Sequence, residues 1–160
     1  MNPEPRISPV SPLSHARQRG FTLVELVIVM VVAAILTAIA VPMYLNQVRE
    51  SRRTDARSAL LDLAGREERY FATNNAYTNS SVNLGYTTTA QGNVWPQTVG
   101  SGYYQIAAPT LAAGPPPSYS VTATPISTQT ADTACTSLTV TSTGAETSTG
   151  TGSASTCWGQ

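Results

Sequence analysis

A chain of 160 residues has room for one domain and a membrane anchor. Only 11% of its residues are charged and 7% aromatic, the acids and bases balance at zero net charge, and every base is an arginine. The last of these is Arg69, and beyond it only Asp132 and Glu146 carry charge, which argues against a surface built to capture nucleic acid electrostatically.

Residues 1–16 hold Pro3, Pro5, Pro9 and Pro12 among polar neighbours, a composition that forms neither helix nor core. Arg17 and Arg19 then give a positive flank that keeps this end in the cytoplasm. From Phe21 to Leu45 the chain is apolar apart from Thr22, Glu25 and Thr37, with Pro42 near its far end. As a helix rising roughly 1.5 Å per residue it crosses most of a bilayer core. A carboxylate in that run costs about 2.5–3.5 kcal/mol at the bilayer centre and less near the interface, so Glu25 needs a partner. Pro42 lacks an N–H and its ring clashes with the carbonyl of Ala38, so it is expected to kink or loosen the helix.

Two processing schemes compete. Ala38-Ile39-Ala40 is a small-residue signal-peptidase pattern that would leave a soluble chain starting at Val41. A cut between Gly20 and Phe21 would instead keep the apolar run and place a free amine near Glu25.

Gly20-Phe21-Thr22-Leu23-Val24-Glu25-Leu26 resembles the prepilin cleavage and methylation motif of the type IV pilin family. That resemblance implies several things at once. A membrane peptidase would cut after Gly20 and methylate Phe21, removing a leader of residues 1–20. Thr22 and Glu25 would serve assembly, and Pro42 would be the helix-kinking proline. The amine of Phe21 in an adjacent subunit would neutralise Glu25 only when neighbours are offset, which makes the acid a register device. The alternative is a carboxylate that snorkels to the membrane surface and has no assembly role. The implied partners are other pilin subunits, the prepilin peptidase, the assembly platform, the outer-membrane secretin and, before assembly, the inner membrane.

Residues 46–160 would form the exported head. Ala56, Leu60, Leu63, Glu67 and Tyr70 recur at helical spacing, with Glu67 the one polar member of the stripe. The flanking arginines and acids read as a solvated face, as ion pairs between subunits, or as both, with Asp62 and Arg66 at a favourable spacing. Thr73-Asn74-Asn75 ends the helix at about residue 73, because polar side chains compete with backbone bonds and Asn tolerates the left-handed turn. Arg66 through Phe71, followed by Ala76-Tyr77-Thr78, is similar to the helix end of type IVa pilins. Residues 79–101 read as an irregular loop with Gly85, Gly92, Pro96 and Gly100 as breakers. Strands are expected over 103–108, 118–126 and 136–142, with Pro109 and Gly114-Pro115-Pro116-Pro117 as the connection between the first two. The fold class is therefore α+β, a long N-terminal helix packed on a small antiparallel sheet.

Cys135 and Cys157 read as free thiols in a cytosolic protein and as a disulfide in an exported one. Gln129, Asp132, Cys135, Leu138, Gly144 and Cys157-Trp158 resemble the C-terminal pattern of type IVa pilins, in which the loop 135–157 would be the exposed, variable D-region. Trp158 is expected to pack the tail in place.

The only histidine, His15, lies in the leader, and no metal, nucleotide or nucleophile motif is present. Asp132 and Glu146 fall short of a calcium site. No catalytic residue, cofactor or metal is expected, and the chain reads as a substrate of the peptidase, not as an enzyme. The expected role is a structural pilus subunit, held in the inner membrane and then assembled into an extracellular filament. The alternatives are a minor pilin of adhesin or DNA-receptor type, with direct DNA binding disfavoured by the charge pattern, and a type II secretion pseudopilin.

Overall fold

The computed structural model describes residues 20–86 and 95–160. Residues 1–19 of the expected leader 1–20, and residues 87–94 of the expected loop, lie outside the described residues. The chain divides into two compact units, Met1–Ala40 and Val41–Gln160.

In the first unit the helix α1, which runs Leu23–Asn74 with Pro42 inside it, begins on Thr22. The Thr22 side chain accepts the N–H of Glu25 at 3.2 Å and its carbonyl accepts the N–H of Leu26 at 3.2 Å. Thr-x-x-Glu is the sequence of a capping box, so the start of α1 is chemically specified. Every residue from Phe21 to Ala40 is exposed, and Thr37 returns its hydroxyl to the carbonyl of Ala33 at 2.7 Å. This apolar stretch is long enough to cross a membrane by length and composition.

In the second unit α1 buries Ala56, Leu60, Leu63 and Glu67 completely and Arg53 nearly so. The helix ends where polar side chains take over its orphan carbonyls. Thr73 Oγ1 and Asn74 Nδ2 both donate to the carbonyl of Tyr70, and Asn75 turns left-handed at φ 52°.

The strands are β1 (Gln97–Val99), β2 (Tyr104–Ile106), β3 (Thr110–Ala112), β4 (Ser118–Pro125), β5 (Ser137–Thr141) and β6 (Glu146–Thr149). They form one antiparallel sheet in the order β1-β2-β4-β5-β6, and β3 also pairs with β4. β2 and β3 share the same edge of β4, with Ile106 opposite Ala123 and Thr110 opposite Ser120. The three expected strands are present and three more join them: β1 within the expected loop, β3 within the expected connection, and β6 in the Gly/Ser/Thr-rich tail.

Period-two alternation gives the sheet two unlike faces. Tyr104, Ile106, Tyr119, Val121, Ala123, Leu138 and Val140 point into the core with Leu60 and Leu63 of α1. Ser120, Thr122, Thr124, Ser137, Thr139, Thr141, Thr147 and Thr149 lie on the other face, which presents hydroxyls and no charge. Thr122 and Thr139 bond to each other across the strands at 2.9 Å.

A disulfide joins Cys135 to Cys157 with a Cα separation of 5.7 Å. The short helix α2 (Ala154–Trp158) is capped by Ser153, whose side chain accepts the N–H of Thr156. Trp158 is buried and donates its indole N–H to the carbonyl of Thr147 at 2.9 Å, tying α2 to β6. Gly150, at φ 125°, lies against the Ala134 backbone where a Cβ has no room, so glycine is required there.

Candidate functional site

Chemistry is concentrated in two places, of which the sequence motif marks the first. At the N-terminal end, Gly20, Phe21, Thr22 and Glu25 line one cleft. Gly20 and Phe21 are non-helical and exposed, so the peptide bond between them lies outside the hydrogen-bonded helix that begins at Leu23. The Thr22 cap brings Thr22 and Glu25 together through the backbone of the acid, while the Glu25 side chain stays exposed. The cap was legible as Thr-x-x-Glu, yet its meaning for the helix start is absent from the motif reading, which assigns both residues to assembly.

The second place lies in the second unit, where residues 49–57 of α1 meet Gln129, Asp132 and Cys157. Arg53 donates to Asp132 through Nε at 2.7 Å and Nη2 at 2.8 Å, a bidentate pair with side-chain exposures of 9% and 2%. The hydrogen bond to Asp132 holds the Arg53 guanidinium above its ordinary pKa against the opposing effect of burial. Gln129, fully buried, donates to Asp132 at 3.1 Å, to the Tyr104 hydroxyl and to the Arg49 carbonyl. Arg52 lies over the Tyr103 ring at 3.4 Å, and Arg57 donates to the Cys157 carbonyl at 2.7 Å. These arginines are therefore internal clamps between α1 and the C-terminal half. For Arg53 this corrects the expectation of a solvated face, while Glu50, Asp62, Glu68 and Arg69 are exposed as such a face requires. The reason is scarcity: a buried acid far from any base in its own half must find one on α1. The composition shows the scarcity, since Asp132 and Glu146 are the only charges after Arg69, but not which base is the partner.

Further along α1, Arg66 pairs with Asp62 at 2.7 Å, as the spacing predicts, and also donates to the Leu84 carbonyl at 3.0 Å. Arg66, Arg69, Tyr70, Asn83 and Gly85 line a cavity of about 320 Å³. Phe71 stacks on Tyr77 at 4.6 Å, and Tyr77 meets Tyr119 edge-on at 4.7 Å. Pro42 sits inside α1, Cys135 and Cys157 are joined, and no group of three or more potential metal ligands occurs among the described residues.

Residues 42–139 match the model of the family described as "Type IV minor pilin ComP, DNA uptake sequence receptor". Residues 15–41 match the prokaryotic N-terminal methylation motif. Among curated proteins, the chain is 32% identical over 72 residues to the type IV major pilin protein PilA of Myxococcus xanthus (strain DK1622), covering 45% of this chain and 33% of that protein. It is 51% identical over 39 residues to prepilin peptidase-dependent protein D of Escherichia coli (strain K12), covering 24% of this chain and 27% of that one. The matched part thus spans about a third or less of the length of these curated relatives.

Proposed function

We infer function from a premise the family match supplies, namely that the chain belongs to the type IV pilin family. It is the precursor of a filament subunit. A prepilin peptidase cuts between Gly20 and Phe21 and methylates the new amine, so residues 1–20 are a removable leader. The retained helix anchors the subunit in the inner membrane before assembly and packs with other subunits afterwards. Residues 46–160 are the exported head, and the assembly platform and outer-membrane secretin carry the filament out. The chain serves as structure and as substrate, without catalysis of its own.

One observation carries this reading: the apolar residues Phe21–Leu45 are exposed along α1 while the core of the head is complete without them. An apolar surface of that size calls for lipid or for copies of itself. The Thr22 cap supports the cleavage step, because it starts the helix after the scissile bond and leaves Gly20-Phe21 open to a peptidase. Intact-mass measurement of sheared surface filaments tests the scheme. The expected mass begins at an N-methylated Phe21 and includes the disulfide, and a chain beginning at Val41 would overturn it.

A second reading is favoured by the family description, which names a DNA uptake sequence receptor. On this reading the head contacts DNA as a minor subunit. Arginines would have to supply the phosphate contacts, and most of those in the head already have partners: Arg52, Arg53, Arg57 and Arg66 hold Tyr103, Asp132, Cys157 and Asp62. Arg69, facing the cavity that contains Asn83, is the most available. A gel shift with the full chain in detergent at low salt separates the two readings. Retardation lost on Arg69→Ala supports the receptor, and an unshifted band at low salt leaves the shaft subunit.

A further inference from the structure

Among the described residues the head buries two carboxylates, and only one of them is neutralised. Asp132 has Arg53 and Gln129. Glu67 has no exposed surface, accepts one hydrogen bond through Oε2 from the Thr78 N–H at 3.1 Å, and has no partner for Oε1. The ionisable groups that face it are Glu68 on α1, Tyr77 in the segment after α1, and Tyr119 on β4, and none of them is cationic. Among the described residues the ion pairs are Arg53–Asp132, Arg57–Glu50 and Arg66–Asp62, which leave Glu67 out. A lone carboxylate in such a place is better tolerated with its proton on.

The residue Glu67 holds is itself a hub. Thr78 Oγ1 accepts from the Ser80 N–H at 3.1 Å and from Asn83 Nδ2 at 3.5 Å, and Asn83 also reaches the Tyr70 hydroxyl. The segment 75–86 that these bonds organise lines cavities on both sides. Asn83, Leu84 and Gly85 face the one with Arg69, and Asn75, Ala76 and Tyr77 face another of about 490 Å³ that reaches Leu111–Ser118.

We propose that Glu67 is a proton-operated latch on residues 75–86. With the proton in place the carboxyl stays in the core and keeps Thr78 against α1. When the proton leaves to water, the carboxylate is drawn toward solvent, Thr78 is released, and both cavities change shape together. The latch acts within one head and does not depend on which of the two functional readings holds.

Burial holds the Glu67 carboxyl above the usual carboxylate range, the Thr78 N–H bond opposes this, and the charge of Glu68 adds to it. The sign follows from that direction. The folded state keeps the extra proton between the ordinary carboxylate pKa and the raised one, so the closed segment is favoured below that interval. The advantage is lost as pH rises through the raised value.

Hydrogen exchange of the full chain in detergent micelles, corrected for intrinsic rates, reads the latch as pH is raised from the ordinary carboxylate range upward. In the wild type, protection of peptides from 75–86 should fall by up to about tenfold per pH unit across the titration, while peptides from Ala154–Trp158 change little. Glu67→Gln, which cannot ionise, should give a flat profile over 75–86. A carbon-13 titration of the Glu67 carboxyl in the wild type gives a second reading that needs no variant. Equal pH profiles for wild type and Glu67→Gln would overturn the latch, and so would titration of Glu67 at an ordinary carboxylate value.

Discussion

One helix passes through two environments. From Leu23 to Leu45 every residue of α1 is exposed, while from Arg53 to Glu67 a stripe of the same helix is closed in by the sheet. Helicity alone therefore says little about how the two stretches are stabilised. The second buries Leu60 and Leu63, each of which contributes about 1.5–3 kcal/mol by leaving water. The first leaves its apolar surface exposed, and under the proposed function lipid or other subunits cover it. Changes in one stretch should register in assembly and changes in the other in folding.

That contrast can be broken most sharply at Glu25. Glu25→Ala should abolish incorporation into sheared filaments, measured by immunoblot, while membrane insertion and the melting temperature of the head stay at wild-type values. Normal incorporation would remove the register role from Glu25. In the other stretch, Arg53→Ala leaves Asp132 buried and unpaired, which should cost about 3–5 kcal/mol in chemical denaturation. A smaller effect is expected from Cys157→Ser. The bridge spans 22 residues, and the chain-entropy model assigns such a loop about 3 kcal/mol. Least is expected from Asp62→Ala, because the Asp62–Arg66 pair has side-chain exposures of 52% and 31% and lies one helical turn apart. A loss above about 1 kcal/mol there would mean that Arg66 depends on Asp62 to reach Leu84.

The parts of the fold that follow from local rules were legible in the residues. The buried stripe Ala56, Leu60, Leu63 follows from helical period, and β4 and β5 follow from alternation of Tyr119, Val121, Ala123, Leu138 and Val140 with hydroxyl residues. The helix end at Asn75 follows from its tolerance of positive φ. The missed elements share a cause. β1 and β3 are three residues each, too short to show a period; β3 lies on the edge of the longer β4, and β1 pairs with β2, itself three residues long. β6 consists of Glu146-Thr147-Ser148-Thr149, without an apolar residue, and depends on register with β5 and on the Trp158 bond to Thr147. At the site, the cleavage motif and the cysteine pair could be read from residue types. The Arg53–Asp132 clamp could not, because the partners are 79 positions apart and only the folded chain brings them together.

The uncharged outer face of the sheet has one more consequence. Hydroxyls such as those of Thr122, Thr124, Thr139 and Thr141 keep the same hydration in dilute and in salty water, and they offer calcium or magnesium no carboxylate to bridge. Where that face is outermost, fibres should neither bundle through divalent ions nor repel one another when salinity drops, and their spacing would be set by the water they hold.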